Sequence, residues 1–324
     1  MAGIALVLGA GGVVGHAWHA GVLTALEETT RWDPRSAEIV VGTSAGSVVG
    51  ALLRGGFAAA DIYARSTGGR LSDEGRRALA QAGIKGPPRS FSRADAATGP
   101  RWSPASPGLA TRTVLAPWRL RPGLLMAGIL PRGRVDTTAI GDAARAFHPS
   151  GWPDRSLWLC AVRLDDGHRV VFGRDEGTVD LGHAVEASCA IPGFFRPVPI
   201  DGRDHVDGGV HSPTNADVLA GLDLDLILVS SSMSLDSSAL RRPALDRMVR
   251  VGHRAALQRE VTVLRTDRSR VITLQPGPDD LAVMGPTSRS MDESRRKAVA
   301  ERARQTTLRR LRSDRLRDEL SALG

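Results

Sequence analysis

The sequence predicts an α/β fold with a central, mainly parallel sheet flanked by helices, and three observations carry that prediction. Short apolar runs without polar alternation mark strands buried on both faces. Segments with helical periodicity stand between those runs, the order expected of a parallel sheet. The first two passages from apolar run to helix go through glycine-rich turns.

The elements follow in order. Residues 4–8 form the first buried strand, and after a glycine loop Ala17, Gly21, Val22, Ala25 and Leu26 recur at helical spacing. Residues 39–41 form the second strand, which runs into Gly42-Thr43-Ser44-Ala45-Gly46. Val48, Val49, Leu52 and Leu53 then mark a helix stopped at Gly55-Gly56. Strand-like runs resume at 157–162, 169–172, 226–230 and 271–274, with helical patterns at 179–188, 241–265 and about 288–323. The chain is expected to form a single domain of residues 1–324. It carries a loop-rich insertion or lid at about 62–135 and a helical tail at about 288–324.

Composition removes several function classes. The 324 residues are 42% hydrophobic, which excludes a disordered chain, and 4% aromatic, too few for nucleic-acid stacking platforms. Cys160 and Cys189 are the two cysteines, so no disulfide framework or four-ligand zinc site is expected. The eight histidines form no metal-ligand cluster, and neither metal nor cofactor is expected. The net charge of +8 is unevenly placed: residues 62–135 hold 13 basic against 3 acidic side chains, and residues 288–324 hold 11 against 6. Those two segments are the candidates for contact with an anionic membrane. The N-terminus lacks a basic start and a small-residue cleavage site, and the expected location is the cytoplasm.

Three motifs carry chemistry. Gly42-Thr43-Ser44-Ala45-Gly46 matches G-x-S-x-G between a strand and a helix, where Gly42 and Gly46 permit the sharp turn that projects the Ser44 hydroxyl. Gly9-Ala10-Gly11-Gly12-Val13-Val14-Gly15 fits an oxyanion loop better than a dinucleotide fingerprint. No register places all three glycines, and the second strand ends in the serine turn rather than an acidic residue. His205-Val206-Asp207-Gly208-Gly209 reads either as a hairpin turn or as a carboxylate base for the serine.

In this order and at this spacing, the three motifs resemble the patatin-like phospholipase family. Residues 8–23, Pro213-Thr214-Asn215-Ala216-Asp217, Met284-Gly285-Pro286 and Met291-Asp292 are similar to its actinobacterial branch. The resemblance implies a three-layer patatin-like fold and a Ser–Asp dyad, with Ser44 the nucleophile and Asp207 the proton acceptor. It also implies oxyanion N–H groups from Gly11, Gly12 and Val13. The implied activity is hydrolysis of acyl-ester lipids, as a phospholipase A or lipid esterase. Two positions depart from the family: Ala10 stands where many members have Gly, and Val14 where many have Arg or Lys, which removes an anion contact.

Alternatives stay open at this level. The same acyl-enzyme would serve an acyltransferase or thioesterase, and a silent lipid-binding protein could keep the fold. His19, His205, His211 and His253 are considered as bases and set aside, because Ser44 follows only the second strand. Leu124-Leu125-Met126-Ala127-Gly128-Ile129-Leu130 reads equally as a membrane-contacting lid or a core segment, and Trp102 and Trp118 are candidate interfacial anchors.

Overall fold

The computed structural model describes residues 3–86, 106, 109, 122–175, 179–239, 244–266 and 269–312. The strands are β1 (Ile4–Leu8), β2 (Ile39–Thr43), β3 (Ser156–Arg163), β4 (Arg169–Phe172), β5 (Val198–Ile200), β6 (Arg203–Asp207), β7 (Leu226–Ser230) and β8 (Arg270–Leu274). They form one eight-stranded sheet in which hydrogen-bonded pairs link β5 to β6, β6 to β3, β3 to β2, β2 to β1, β1 to β7 and β7 to β8, with β4 also paired to β3. The five strands β3-β2-β1-β7-β8 are parallel, while β4, β5 and β6 pair antiparallel. The described helices are α1 (Gly12–Thr30), α2 (Ala45–Arg54), α3 (Ala59–Thr67), α4 (Asp73–Gln81), α5 (Pro122–Ile129), α6 (Thr138–Phe147), α7 (Leu181–Ser188), α8 (Ala244–Thr266), α9 (Pro278–Met284) and α10 (Arg296–Leu311).

The uniform apolar runs have the cause expected of them. In β1, Leu6 and Leu8 face a core built with Trp18 and Leu23 of α1, Val49 and Leu53 of α2 and Val185 of α7. The alternate residues Ala5 and Val7 face a second core with Leu257, Val261 and Leu264 of α8. With helices on both faces, the sheet has no solvent side to mark with polar residues.

The register at β3 brings the site together. Cys160 pairs with Thr43 of β2 and with Val171 of β4, so β2 and β4 lie on opposite edges. Ala161 pairs with Val170 of β4 and with Asp207 of β6, which puts β6 on the same edge as β2. The ends of β2 and β6 therefore meet head to head beside Cys160 and Ala161. One ends at Thr43, just before Ser44, and the other at Asp207.

The loop-rich expectation at 62–135 is corrected over its first part, where most of α3 and all of α4 lie. Capping helps hold α4, with the Ser72 hydroxyl accepting the Gly75 N–H at 2.9 Å, while Ala78 and Leu79 pack half-buried against the main core. Asp61 anchors this cap, accepting the Ser72 N–H and hydroxyl, each at 2.7 Å. In α5, Leu124 and Ala127 are buried while Met126 and Ile129 are exposed, so the apolar run is core on one side only. Trp102 and Trp118 lie outside the described residues.

The tail's Arg296–Leu311 is α10, which packs Val299, Ala300, Ala303 and Leu311 into the main core; residues 313–324 lie outside the described residues. Gly21 of α1 makes this docking possible. A Cβ there would overlap the Ala300 carbonyl and come within 2.8 Å of the Ala303 side chain. Gly21→Val is expected to cost about 1–3 kcal/mol or more by overpacking. A lowered urea midpoint at unchanged slope is the readout. Among the described residues, no helix is long and apolar enough to cross a membrane.

Candidate active site

Ser44 joins β2 to α2 with φ 54° and ψ −117°, a conformation strained for any residue with a side chain. The turn is tight enough to need glycine on both sides. A Cβ on Gly46 would overlap the Leu8 carbonyl, and one on Gly42 would lie 2.6 Å from the Ser47 Cα. Buried hydrogen bonds hold the strain in place. The Ser44 N–H donates to the Ser188 hydroxyl at 3.0 Å, which itself donates to the Cys160 carbonyl at 2.8 Å. The Ser47 hydroxyl donates to the Ser44 carbonyl at 2.6 Å.

Asp207 is buried at the end of β6 beside Ser44, whose side chain favours the ionised carboxylate. The Asp207 Oδ1 accepts the Gly209 N–H at 2.7 Å. Burial raises this carboxyl to about 6, against the Ser44 side chain and the Gly209 N–H, which lower it. The chain after Asp207 continues as a 3-10 turn, Gly208–Val210, so the Asp-Gly-Gly motif is not a hairpin.

The glycine loop enters α1 between β1 and the cavity. The Ala10 N–H donates to the Pro213 carbonyl at 2.7 Å and the Val14 N–H to the Ser290 carbonyl at 2.9 Å. Among the described residues the N–H groups of Gly11, Gly12 and Val13 have no such partner, which is the ordinary state of a helix's first turn. Ala10 keeps a negative φ, so its methyl costs no strain. Val14 is buried in the main core. His19 supports the loop from behind: its Nε2 donates to the Gly9 carbonyl at 2.7 Å while its Nδ1 accepts from the Ser230 hydroxyl at 2.8 Å. Burial pushes His19 down to about 4, so the ring is neutral at physiological pH.

Ser44, Gly12 and Val13 share a cavity of about 500 Å³ whose walls include Val48, Leu52, Ile62, Ile140, Phe147 and Phe195. That lining suits an acyl chain. None of the set-aside histidines lines this cavity. His205 Nδ1 lies 2.9 Å from its neighbour Arg203's carbonyl, and His253 Nδ1 lies 3.3 Å from the Met233 carbonyl.

Sequence reasoning missed the residues that hold the two motifs together. Asn215, left-handed at φ 52°, donates from Nδ2 to the Ser212 carbonyl at 2.6 Å, the Thr43 hydroxyl at 3.1 Å and the Gly208 carbonyl at 3.3 Å. It thereby ties the residue before Ser44 to the residue after Asp207. Glu260 anchors the same loop, accepting the Thr214 hydroxyl at 2.6 Å and the Ala216 N–H at 3.0 Å. Only the quoted run 213–217 signalled that this stretch has a role. Asn215→Ala is expected to lower stability by about 1–3 kcal/mol, since it leaves buried partners unsatisfied. Thermal denaturation measures that loss.

The fold and the strained serine at a strand–helix junction define an α/β protein of the serine-elbow type. The chain belongs to the patatin-like phospholipase family, whose model matches residues 6–220. Uncharacterized NTE family proteins of Mycobacterium tuberculosis and Mycobacterium bovis are 30% identical over 256 residues, covering 76% of this chain. The chain spans 56% of the length of those relatives. Among solved structures, VipD from Legionella pneumophila matches with a TM-score of 0.45 and 14% identity, over 95% of this chain and 66% of that one. The type III effector protein ExoU matches with a TM-score of 0.39 and 18% identity, over 95% of this chain and 52% of that one.

Proposed function

We propose that the chain is a serine acyl hydrolase that cleaves carboxylic esters of lipids, with Ser44 as nucleophile and Asp207 as its base. The observation that carries this reading is the strained Ser44 on the wall of an apolar cavity, with the buried Asp207 carboxylate brought beside it by the strand register.

The chemistry follows from the geometry. Asp207 takes the hydroxyl proton as the Ser44 Oγ attacks the ester carbonyl. The N–H groups of Gly11, Gly12 and Val13 receive the developing oxyanion. Each such donor is worth about 2.7–4 kcal/mol of transition-state stabilisation, and the positive end of α1 adds to it. Protonated Asp207 then gives its proton to the departing alcohol. The same carboxylate, deprotonated again, activates the water that frees the acid from Ser44. The raised Asp207 carboxyl suits both roles, because an acid–base group works best near the operating pH.

Hydrolysis in isotopically labelled water of a p-nitrophenyl ester and of a phospholipid tests the reading. One labelled oxygen in the released fatty acid is the expected result. Transfer of the acyl group to an added alcohol without label in free acid would replace it with the acyltransferase reading.

A further inference from the structure

One end of the catalytic cavity departs from its apolar character. His16 of α1, Arg65 at the end of α3 and Arg296 at the start of α10 all line it, brought there from three distant parts of the chain. His16 follows Gly12 by four residues on α1. It therefore shares that glycine's helix face, about 6 Å further along the axis. His16 thus stands one helical turn from the first-turn N–H groups, and both arginines are near enough to act on its charge.

The two guanidiniums are poorly neutralised. Among the described residues, Arg65 has no acidic partner, and its hydrogen bond to the Gly86 carbonyl is long, at 3.5 Å. Arg296 approaches Glu293 only at 4.0 Å, and its Nε is buried without a partner among the described residues. The cavity's one acidic lining residue, Asp142, is engaged by Arg145 at 2.9 Å. The groups also oppose one another. Burial and then Arg296 hold the Arg65 guanidinium below its ordinary range. Burial, then Arg296, His19 and Arg65, push His16 down to about 3, leaving a neutral ring. Lys85 lines the same cavity, and cations gathered beside a neutral imidazole are an arrangement that an anion would relieve.

We infer that Arg65 and Arg296 form an anion subsite that holds the phosphate of an acyl glycerophosphate while its ester carbonyl sits at Ser44. The inference rests on the hydrolase reading and names its substrate class: esters bearing a phosphate a few bonds from the scissile carbonyl. Gly12, Val13, Ser44, Arg65 and Arg296 line one cavity, so a single ligand can meet all of them. Arginine is suited to it, because its planar fork binds phosphate oxygens two at a time.

The test compares a short-chain monoacyl glycerophosphate with the matching monoacyl glycerol, both as monomers in solution. Wild type is expected to prefer the glycerophosphate in kcat/KM, chiefly through KM. That ratio falls on the order of tenfold in Arg65→Gln and in Arg296→Gln, and Arg296→Lys retains part of it. Absence of a preference in wild type, or a ratio unchanged in folded variants, overturns the subsite. A binding arm separates this from the hydrolase reading. Titration calorimetry on Ser44→Ala should show tighter binding of the glycerophosphate than of the glycerol, lost on adding Arg65→Gln. If neither ester is cleaved but that binding pattern holds, the hydrolase reading falls and the anion subsite stands. Inorganic phosphate is titrated alongside. If it binds as tightly as the acyl glycerophosphate, the site serves free phosphate and the substrate assignment is overturned.

Discussion

Ser44→Ala is expected to lower kcat/KM for a p-nitrophenyl ester on the order of 10⁴-fold or more, to a residual set by the oxyanion loop and the cavity alone. The substitution removes one oxygen and leaves the hydrogen bonds of the Ser44 backbone N–H and carbonyl, which hold the elbow, in place. Fold and thermal stability should therefore persist while turnover vanishes. A normal melting curve beside the lost activity is the paired measurement. Near-full activity in this variant would place the nucleophile elsewhere.

Asp207→Asn is the second large effect, and it pulls activity and stability in opposite directions. Removing the base should lower kcat/KM on the order of 10²–10⁴-fold. In the wild type, kcat/KM should climb as pH rises through about 6 and stay flat above it, because the ionised carboxylate is the working form. Stability behaves oppositely. Burial raises the folded-state carboxyl from 3.8 to about 6, so the folded protein holds the proton more tightly than the unfolded chain does. The fold loses stability as pH rises between those values, and the penalty is complete above the upper one. At 1.36 kcal/mol per unit it amounts to about 3 kcal/mol. An amide carries no such penalty. Asp207→Asn should melt higher than wild type at neutral pH and show a flatter stability profile between pH 4 and pH 6. A lower melting temperature with retained activity would remove Asp207 from the base's role.

Sequence made some of this legible for definite physical reasons. β1, β2 and β7 are buried on both faces, which leaves continuous apolar runs, and the Ser44 elbow needs glycine on both sides, which leaves a motif. β5 and β6 left little trace. Val198-Pro199-Ile200 is short, and Arg203-Asp204-His205-Val206-Asp207 is polar where it pairs at the antiparallel end of the sheet. The helices α3 and α4 are punctuated by Asp61 and Ser72, polar groups that a search for apolar periodicity passes over. The meeting of Ser44 with Asp207 depends on β2 and β6 sharing one edge of β3, a register that no local pattern encodes. Asn215, Arg65 and Arg296 belong to the same class: each acts through neighbours distant in the chain.

The two arginine-rich segments that stood out by charge also gain a more definite place. Arg65 comes from one and Arg296 from the other, and both line the cavity that holds Ser44. Part of the basic surplus is thus turned inward, toward the site.

The most direct test of the account is the reaction of the full chain with a fluorophosphonate ester, followed by intact-mass and peptide analysis. The account predicts one adduct per chain, on Ser44, absent from Ser44→Ala and formed much more slowly in Asp207→Asn. An adduct on another residue, or undiminished labelling of Ser44→Ala, would contradict it.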